Sequence, residues 1–266
     1  MEQARFKRKT ITMEVLQSQQ YKKRIRRIIF YTGLFFLVTL IFLTVVFAVF
    51  FRIREIKITG VERYKKEDIM AVLPVKTEDN LYSFKTEDVE TTIIKSLSYI
   101  GEVKVTRSIP SHLNIKITEA EPVMYFCNDG YYYLLSDRLR VLARTKNFGE
   151  VPGDAIKLNL SETLRCIVGE PLSFVDERSY DAVTELYLNI RENELSLSIK
   201  EIDIESRFDI YLQYEDRYSV YMGDVNNADL KIQFLKVIIN KINEEDLEKT
   251  GSIDISNHRE ATADLE

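Results

Sequence analysis

The stretch IIFYTGLFFLVTLIFLTVVFAVFF, Ile28–Phe51, decides how the rest of the chain is read. It runs for 24 residues without a charged side chain or a proline. As a helix it spans about 36 Å, more than the roughly 30 Å hydrocarbon layer of a bilayer. A backbone crossing lipid must satisfy its own hydrogen bonds, which a helix does. A core helix of a soluble protein rarely stays uncharged on every face for this long. A cleaved signal peptide has a shorter apolar core, about 7–15 residues, and a small-residue cleavage site, which does not follow here. The reading is a retained membrane helix over 28–51.

Residues 1–27 carry nine Lys/Arg, among them Arg5, Lys7, Arg8, Lys9 and the cluster Lys22–Arg27, against Glu2 and Glu14. That segment is therefore about +7, and residues 52–266 hold about −12 of the whole-chain −5. Basic flanks stay cytoplasmic, so 1–27 is expected inside and the long part outside, a single-pass type II arrangement. Arg52, Arg54 and Lys57 on the far side weaken the rule, and Lys22–Arg27 tips it. The 215 residues beyond the helix suffice for one large or two small domains. Their acidic balance argues against nucleic acid or anionic lipid as their ligand. Cys127 and Cys166 could form one disulfide, but two buried thiols are the expected state.

Residues 52–120 read as a compact unit. Ile56 and Ile58 alternate up to Gly60, a strand. Ile69, Val72 and Leu73 give a short amphipathic helix stopped by Pro74. Thr86 is the expected N-cap of a second helix, with Glu87 and Asp88 in its first turn and Val89, Ile93 and Leu97 on one face. Val103 and Val105, then Leu113, Ile115 and Ile117, form two strands around the turn Ser108–Ser111. The order β-α-α-β-β predicts an α+β domain.

Residues 121–257 read as strand-rich. Strands are expected at Val123–Phe126, Tyr131–Leu135, Arg140–Ala143, Ile156–Leu160, Ile199–Ile204, Phe208–Tyr214, Tyr218–Met222 and Ile253–Ile255. Asn128-Asp129-Gly130 is a hairpin turn. Helices are expected over Asp176–Arg191 and Leu230–Ile242. The picture is an antiparallel sheet with flanking helices, followed by a disordered tail over 258–266.

No motif for catalysis, cofactor or metal emerges. The histidines are His112 and His258, too few for a metal cluster and not in a His-Glu-x-x-His pattern. A Cys–His nucleophile would need one of them beside Cys127 or Cys166, and nothing in the spacing brings them together. Asp224–Asp229 resembles a calcium loop only faintly, with Asp229 where glycine is required and Leu235 where the bidentate Glu should be, so a helix-capping turn is the reading. The acidic run Glu244-Glu245-Asp246 reads as a solvated face. In Tyr131-Tyr132-Tyr133, strand alternation sets Tyr132 against the other two, which fits core packing better than a sugar platform. The Asn159-Leu160-Ser161 sequon reads as chance. A binding role remains. An open sheet edge accepts a partner strand, and Gly251–Ser256 is the candidate edge.

Several of these segments, taken in order, resemble a known family. They are the basic tail and single helix, FRIREIKITGVERYKKEDI from Phe51, and VTRSIPSHLNIKITEAEPV from Val105. Farther on come Gly130–Asp137 with its tyrosines before Asp, Val151-Pro152-Gly153, Gly169–Leu172, Val220–Gly223 with Lys231 eight residues on, and Ser252–Ile255. Together these resemble the bacterial cell-division family FtsQ/DivIB over residues 22–257. Ile109-Pro110 replaces the family's frequent Trp-Pro, and Asp137–Arg140 lacks a glycine usual there. The resemblance implies that 52–120 is a POTRA domain. It implies a non-catalytic scaffold at the division septum with no cofactor. Its partners would be FtsB/DivIC- and FtsL-type single-pass proteins and, further out, septal peptidoglycan synthases. It implies partner contact at Ile253, Asp254, Ile255 and Ser256, with Lys231 and Phe234 beside them. Two other classes remain open, a membrane-tethered cell-wall enzyme and a transmembrane sensor signalling through residues 1–27.

Overall fold

A computed structural model describes residues 13–160, 163–174, 177–245, 248–257 and 259–266. Arg5, Lys7, Arg8 and Lys9 of the basic tail, Ser161 of the sequon, Asp176 at the expected helix start, Asp246 and His258 lie outside them. Helix α1 covers Met13–Phe50. Its segment Arg24–Phe50 has a mean hydropathy of 2.8 and none of it is buried by the rest of the chain. A core helix would be buried, so the packing agrees with a single-pass membrane helix.

The first outer unit has its own core, from Ile53 to Ile117. Strand β1 is Glu55–Thr59, helix α2 Lys66–Val72, helix α3 Thr86–Ser96, strand β2 Ile100–Ser108 and strand β3 His112–Glu119. The sheet order is β1-β3-β2, with β1 parallel and β2 antiparallel to β3. The expected β-α-α-β-β order is present. Thr86 is the first helical residue of α3 and Lys85 takes the cap position, without a side-chain cap bond. Gly60 has φ of +82°, and a Cβ there would collide with the Ile117 carbonyl, so only glycine lets β1 turn away so close to β3.

The second unit has a larger core, from Met124 to Ile255. Its strands are β4 Met124–Asn128, β5 Tyr131–Leu135, β6 Val141–Thr145, β7 Ile156–Leu160, β10 Ile199–Ser206, β11 Asp209–Tyr214, β12 Tyr218–Gly223, β13 Gly251–Asn257 and β14 Glu260–Leu265. They form one nine-stranded sheet in the order β14-β13-β12-β11-β10-β7-β4-β5-β6. A separate ribbon joins β8, Thr163–Arg165, to β9, Ser173–Phe174. Helices α4, Glu177–Glu192, and α5, Ala228–Glu245, contact each other, α4 also meeting β9 and α5 meeting β13.

The sheet is mixed where an antiparallel one was expected. The pairs β10–β7, β4–β7 and β12–β13 are parallel. For β7–β10 and β12–β13 the cause is the helical connection. A helix between two neighbouring strands carries the chain back to the starting end, and α5 does this between β12 and β13. The tail also departs from expectation. Glu260–Leu265 is a strand paired antiparallel with β13, not a disordered segment.

No spacer separates the two units. The Glu119 carboxylate, at the end of β3, accepts from the backbone amides of Glu62, Arg63 and Tyr64 at 3.0–3.4 Å. The Arg140 guanidinium reaches from the second unit to the carbonyls of Ile94, Leu97 and Ile100 in the first. Two of these lie at the C-terminal end of α3, where unsatisfied carbonyls and the helix dipole favour a cation. Burial pulls this guanidinium below its ordinary value, with Tyr64 acting the other way, and it stays charged. Removing it strips three partly buried carbonyls of a charged donor. Arg140→Ala should therefore cost about 2 kcal/mol in chemical unfolding. Hydrogen exchange should rise at Ile94–Ile100 and leave β11 and β12 unchanged. Unaltered exchange at α3 would show that the arginine does not hold the units together.

Candidate partner-binding edge

Ile253 and Ile255 are fully buried in the second core. Their side chains anchor β13 in the core, which leaves their backbone as the part that a partner strand could meet. Asp254 is half-buried and Ser256 exposed. The Asp254 carboxylate accepts from the Ser256 amide at 2.8 Å, at the irregularity where β13 and β14 lose register. In this fold the strand beside solvent is β14. Strand β12 lies inside the sheet between β11 and β13.

The direction of each β13 amide follows from two flanking contacts. Thr250 and Glu266 exchange both backbone bonds, at 3.2 and 2.9 Å, which makes them a hydrogen-bonded antiparallel pair. The Gly251 amide donates instead to the Arg217 carbonyl, just before β12, at 3.1 Å. Alternation then turns the Ser252 and Asp254 amides toward β14, and the Ile253 amide toward β12.

Strand β14 is held mainly through its backbone. Only Ala261 and Leu265 pack against the core, while Thr262, Ala263 and Asp264 are exposed. Its approach is close at one point, since a Cβ on Gly251 would collide with the Asp264 carbonyl.

Lys231 is 2% exposed, so it too is unavailable for direct contact. Its ammonium donates to the Met222 carbonyl at 3.1 Å, the Asp224 carbonyl at 2.8 Å and the Asp224 carboxylate at 2.9 Å. These three acceptors match its three N–H donors and bracket α5 to the end of β12. The turn Asp224–Asp229 is thus part of a helix bracket. Phe234 is half-buried, and with Leu230 and Val237, 44% and 62% exposed, it forms an apolar stripe on α5. Sequence reading missed the stripe's outer members because the same spacing also describes a core face.

Elsewhere the described residues hold little that suggests chemistry. Among them no group of three or more His, Cys, Asp or Glu is placed to hold a metal. His112 sits 3.4 Å from Glu55 across the β1–β3 pair. Cys127 is exposed rather than buried, because its place on β4 points away from the core that Phe126 enters, and Cys166 is half-buried. Tyr133 stacks on Phe126 at 4.9 Å inside the core. Tyr132 faces the other way, into a cluster with Tyr125 and Phe148.

Comparison with known proteins adds the following. A family model described as POTRA domain, FtsQ-type, matches residues 51–120. Cell division protein DivIB of Clostridium botulinum is 25% identical over 248 residues, 92% of this chain and 93% of that one. Cell division protein DivIB of Clostridium tetani is 24% identical over 210 residues, 78% and 77% of the two chains. Cell division protein FtsQ of Corynebacterium glutamicum is 20% identical over 191 residues, 71% and 79%.

The bracket has a pH signature. Burial raises the Asp224 carboxyl, but hydrogen bonding and charge from Lys231, with Asn226 adding to them, outweigh it and leave it below its ordinary 3.8. A carboxyl depressed by folding adds stability above its unfolded value and loses it as pH falls through the folded value. Asp224→Asn should cost about 1–2 kcal/mol at pH 7. The gap from wild type should narrow as pH drops below 3.8. Thermal melts of both proteins across pH 2–7 check this, and a gap independent of pH would contradict it.

Proposed function

The chain matches the FtsQ/DivIB family of cell-division proteins, and on that premise we propose that it is a non-catalytic, single-pass scaffold of the bacterial divisome. Its helix anchors it, and its two outer units face the extracytoplasmic side. The finer reading is that it captures FtsB/DivIC-type proteins, through them FtsL-type ones, and helps organise septal peptidoglycan synthesis. The observation that carries this reading is the weakly held β14 beside a firmly anchored β13. A partner strand that takes the place of β14 would regain the bonds to the Ser252 and Asp254 amides. It would lose only the small apolar contribution of Ala261 and Leu265. The stripe Leu230, Phe234 and Val237 lies on the helix that packs against β13, where a partner's apolar face can cover it. Ile253 and Ile255 act in this reading by fixing the strand that receives the partner, and Lys231 by fixing α5.

Proline substitution separates the two sides of β13, because proline removes one backbone donor. Asp254→Pro should abolish capture of the partner's extracytoplasmic segment while the domain stays folded. Ile253→Pro should unfold the domain by breaking the β12 ladder. Asp254→Ala keeps the amide and should bind within about 1 kcal/mol of wild type. Deleting residues 259–266 should preserve or tighten capture. Binding to the full-length protein in detergent, with melts as the folding control, provides the readout. Normal capture by Asp254→Pro would place the partner elsewhere, and loss of capture on deletion would mean that the partner reads β14 itself.

A further inference from the structure

The loop Lys76–Phe84, between α2 and α3, is tied to the end of the membrane helix. The Asn80 side-chain amide donates to the Phe47 carbonyl at 3.2 Å, inside the last turn of α1. The Leu81 amide donates to the Phe51 carbonyl at 2.8 Å, and the Ile53 amide to the Asp79 carbonyl at 2.8 Å. The Glu78 amide returns a bond to the Ile53 carbonyl at 2.9 Å. The loop is stiffened within itself by the Tyr82 amide on the Asn80 side chain and the Ser83 hydroxyl on the Asn80 carbonyl. These contacts hold the Tyr82 ring 5.5 Å from that of Phe47 and 5.3 Å from that of Phe51.

Phe47 lies three residues inside the end of the span at Phe50, about 4.5 Å back along the axis. Tyr82 therefore sits beside the last turn of the membrane helix and not beyond it. The apolar run exceeds the hydrocarbon layer by about 6 Å, roughly one turn, and that turn falls among the lipid headgroups. Tyr82 is 46% exposed, Phe47 46% and Phe50 53%, so about half of each residue is left uncovered by the described residues. A tyrosine suits that depth, with its ring against the chain ends and its hydroxyl toward water. Two of the nearby cations are engaged within the chain. Arg52 pairs with Glu78 at 3.4 Å, and Arg107 donates to the Leu81 and Phe84 carbonyls at 2.6 Å.

We infer that Tyr82, with Phe47 and Phe50, is an interfacial anchor that seats the first outer unit in the outer leaflet of a phospholipid bilayer. The occupant is the shallow acyl and glycerol region of the lipid, which the aromatic rings meet without a charged headgroup. The anchor orients the unit on the membrane, where a free linker would let it tumble. It extends the membrane reading and is independent of the partner proposed above.

The chain has no tryptophan, so one introduced indole reports its own depth. Full-length Tyr82→Trp and Leu40→Trp, each reconstituted in phosphatidylcholine vesicles, are compared using lipids brominated near the glycerol or near the chain ends. The Tyr82→Trp indole should be quenched more strongly by shallow bromine, and the Leu40→Trp indole by deep bromine. Adding Asn80→Ala to Tyr82→Trp should reduce the shallow quenching by releasing the loop. Quenching of Leu40→Trp alone would leave the membrane helix intact and overturn the anchor. Absence of quenching in both variants would overturn the membrane helix and the anchor together.

Discussion

Each backbone N–H and C=O in this chain needs a partner wherever water is excluded, and that requirement shapes the whole molecule. In lipid it imposes the helix that ends at Phe50, because a single crossing segment can satisfy itself in no other way. Outside, it turns alternating apolar segments into sheets whose inner strands are paired on both sides. Among the described residues the nine-stranded sheet leaves the requirement open at its margins, along β14 and along β6 beyond Val141, whose own backbone groups pair with Gly169 and Glu170. A protein whose described residues hold no metal group can still act through such a margin, where main-chain donors give affinity and neighbouring side chains give selectivity.

A scaffold is useful when it presents that margin at a fixed place. Here the path from bilayer to sheet is short and braced at each junction. The Asn80–Leu81 loop locks the helix end to the first unit, Glu119 gathers three amides at the turn after β1, and Arg140 joins the second unit to the end of α3. None of these braces is a large apolar interface. Each joins a charged or polar side chain to backbone groups that would otherwise lie unsatisfied, the kind of interaction that costs most when broken.

Much of this organisation was legible in the sequence. Ile56 and Ile58, and Leu113, Ile115 and Ile117, alternate because one face of each strand is buried. Val89, Ile93 and Leu97 reveal α3 by their spacing. Strand β14 was not legible. Its segment Glu-Ala-Thr-Ala-Asp-Leu buries little side chain and is held by backbone bonds, which leave no hydrophobic pattern. The parallel ladders were recoverable in principle, since strand, helix and strand follow one another from Tyr218 to Ile255. Reading them as antiparallel ignored the return path that α5 provides. The family resemblance singles out Lys231, but whether its ammonium faces a partner or a carbonyl depends on burial. The membrane-end loop was invisible for a similar reason, because Asn80 and Tyr82 gain their meaning only from contact with Phe47, 33 and 35 residues away.

The central claim is that the chain works as a division scaffold and that its place of work is the septum. The most direct measurement is the position of a fluorescent fusion of the full-length protein in dividing cells, followed through constriction. The account predicts a band at midcell that appears with the septum and disperses after separation. A uniform membrane signal at every stage of division would contradict it.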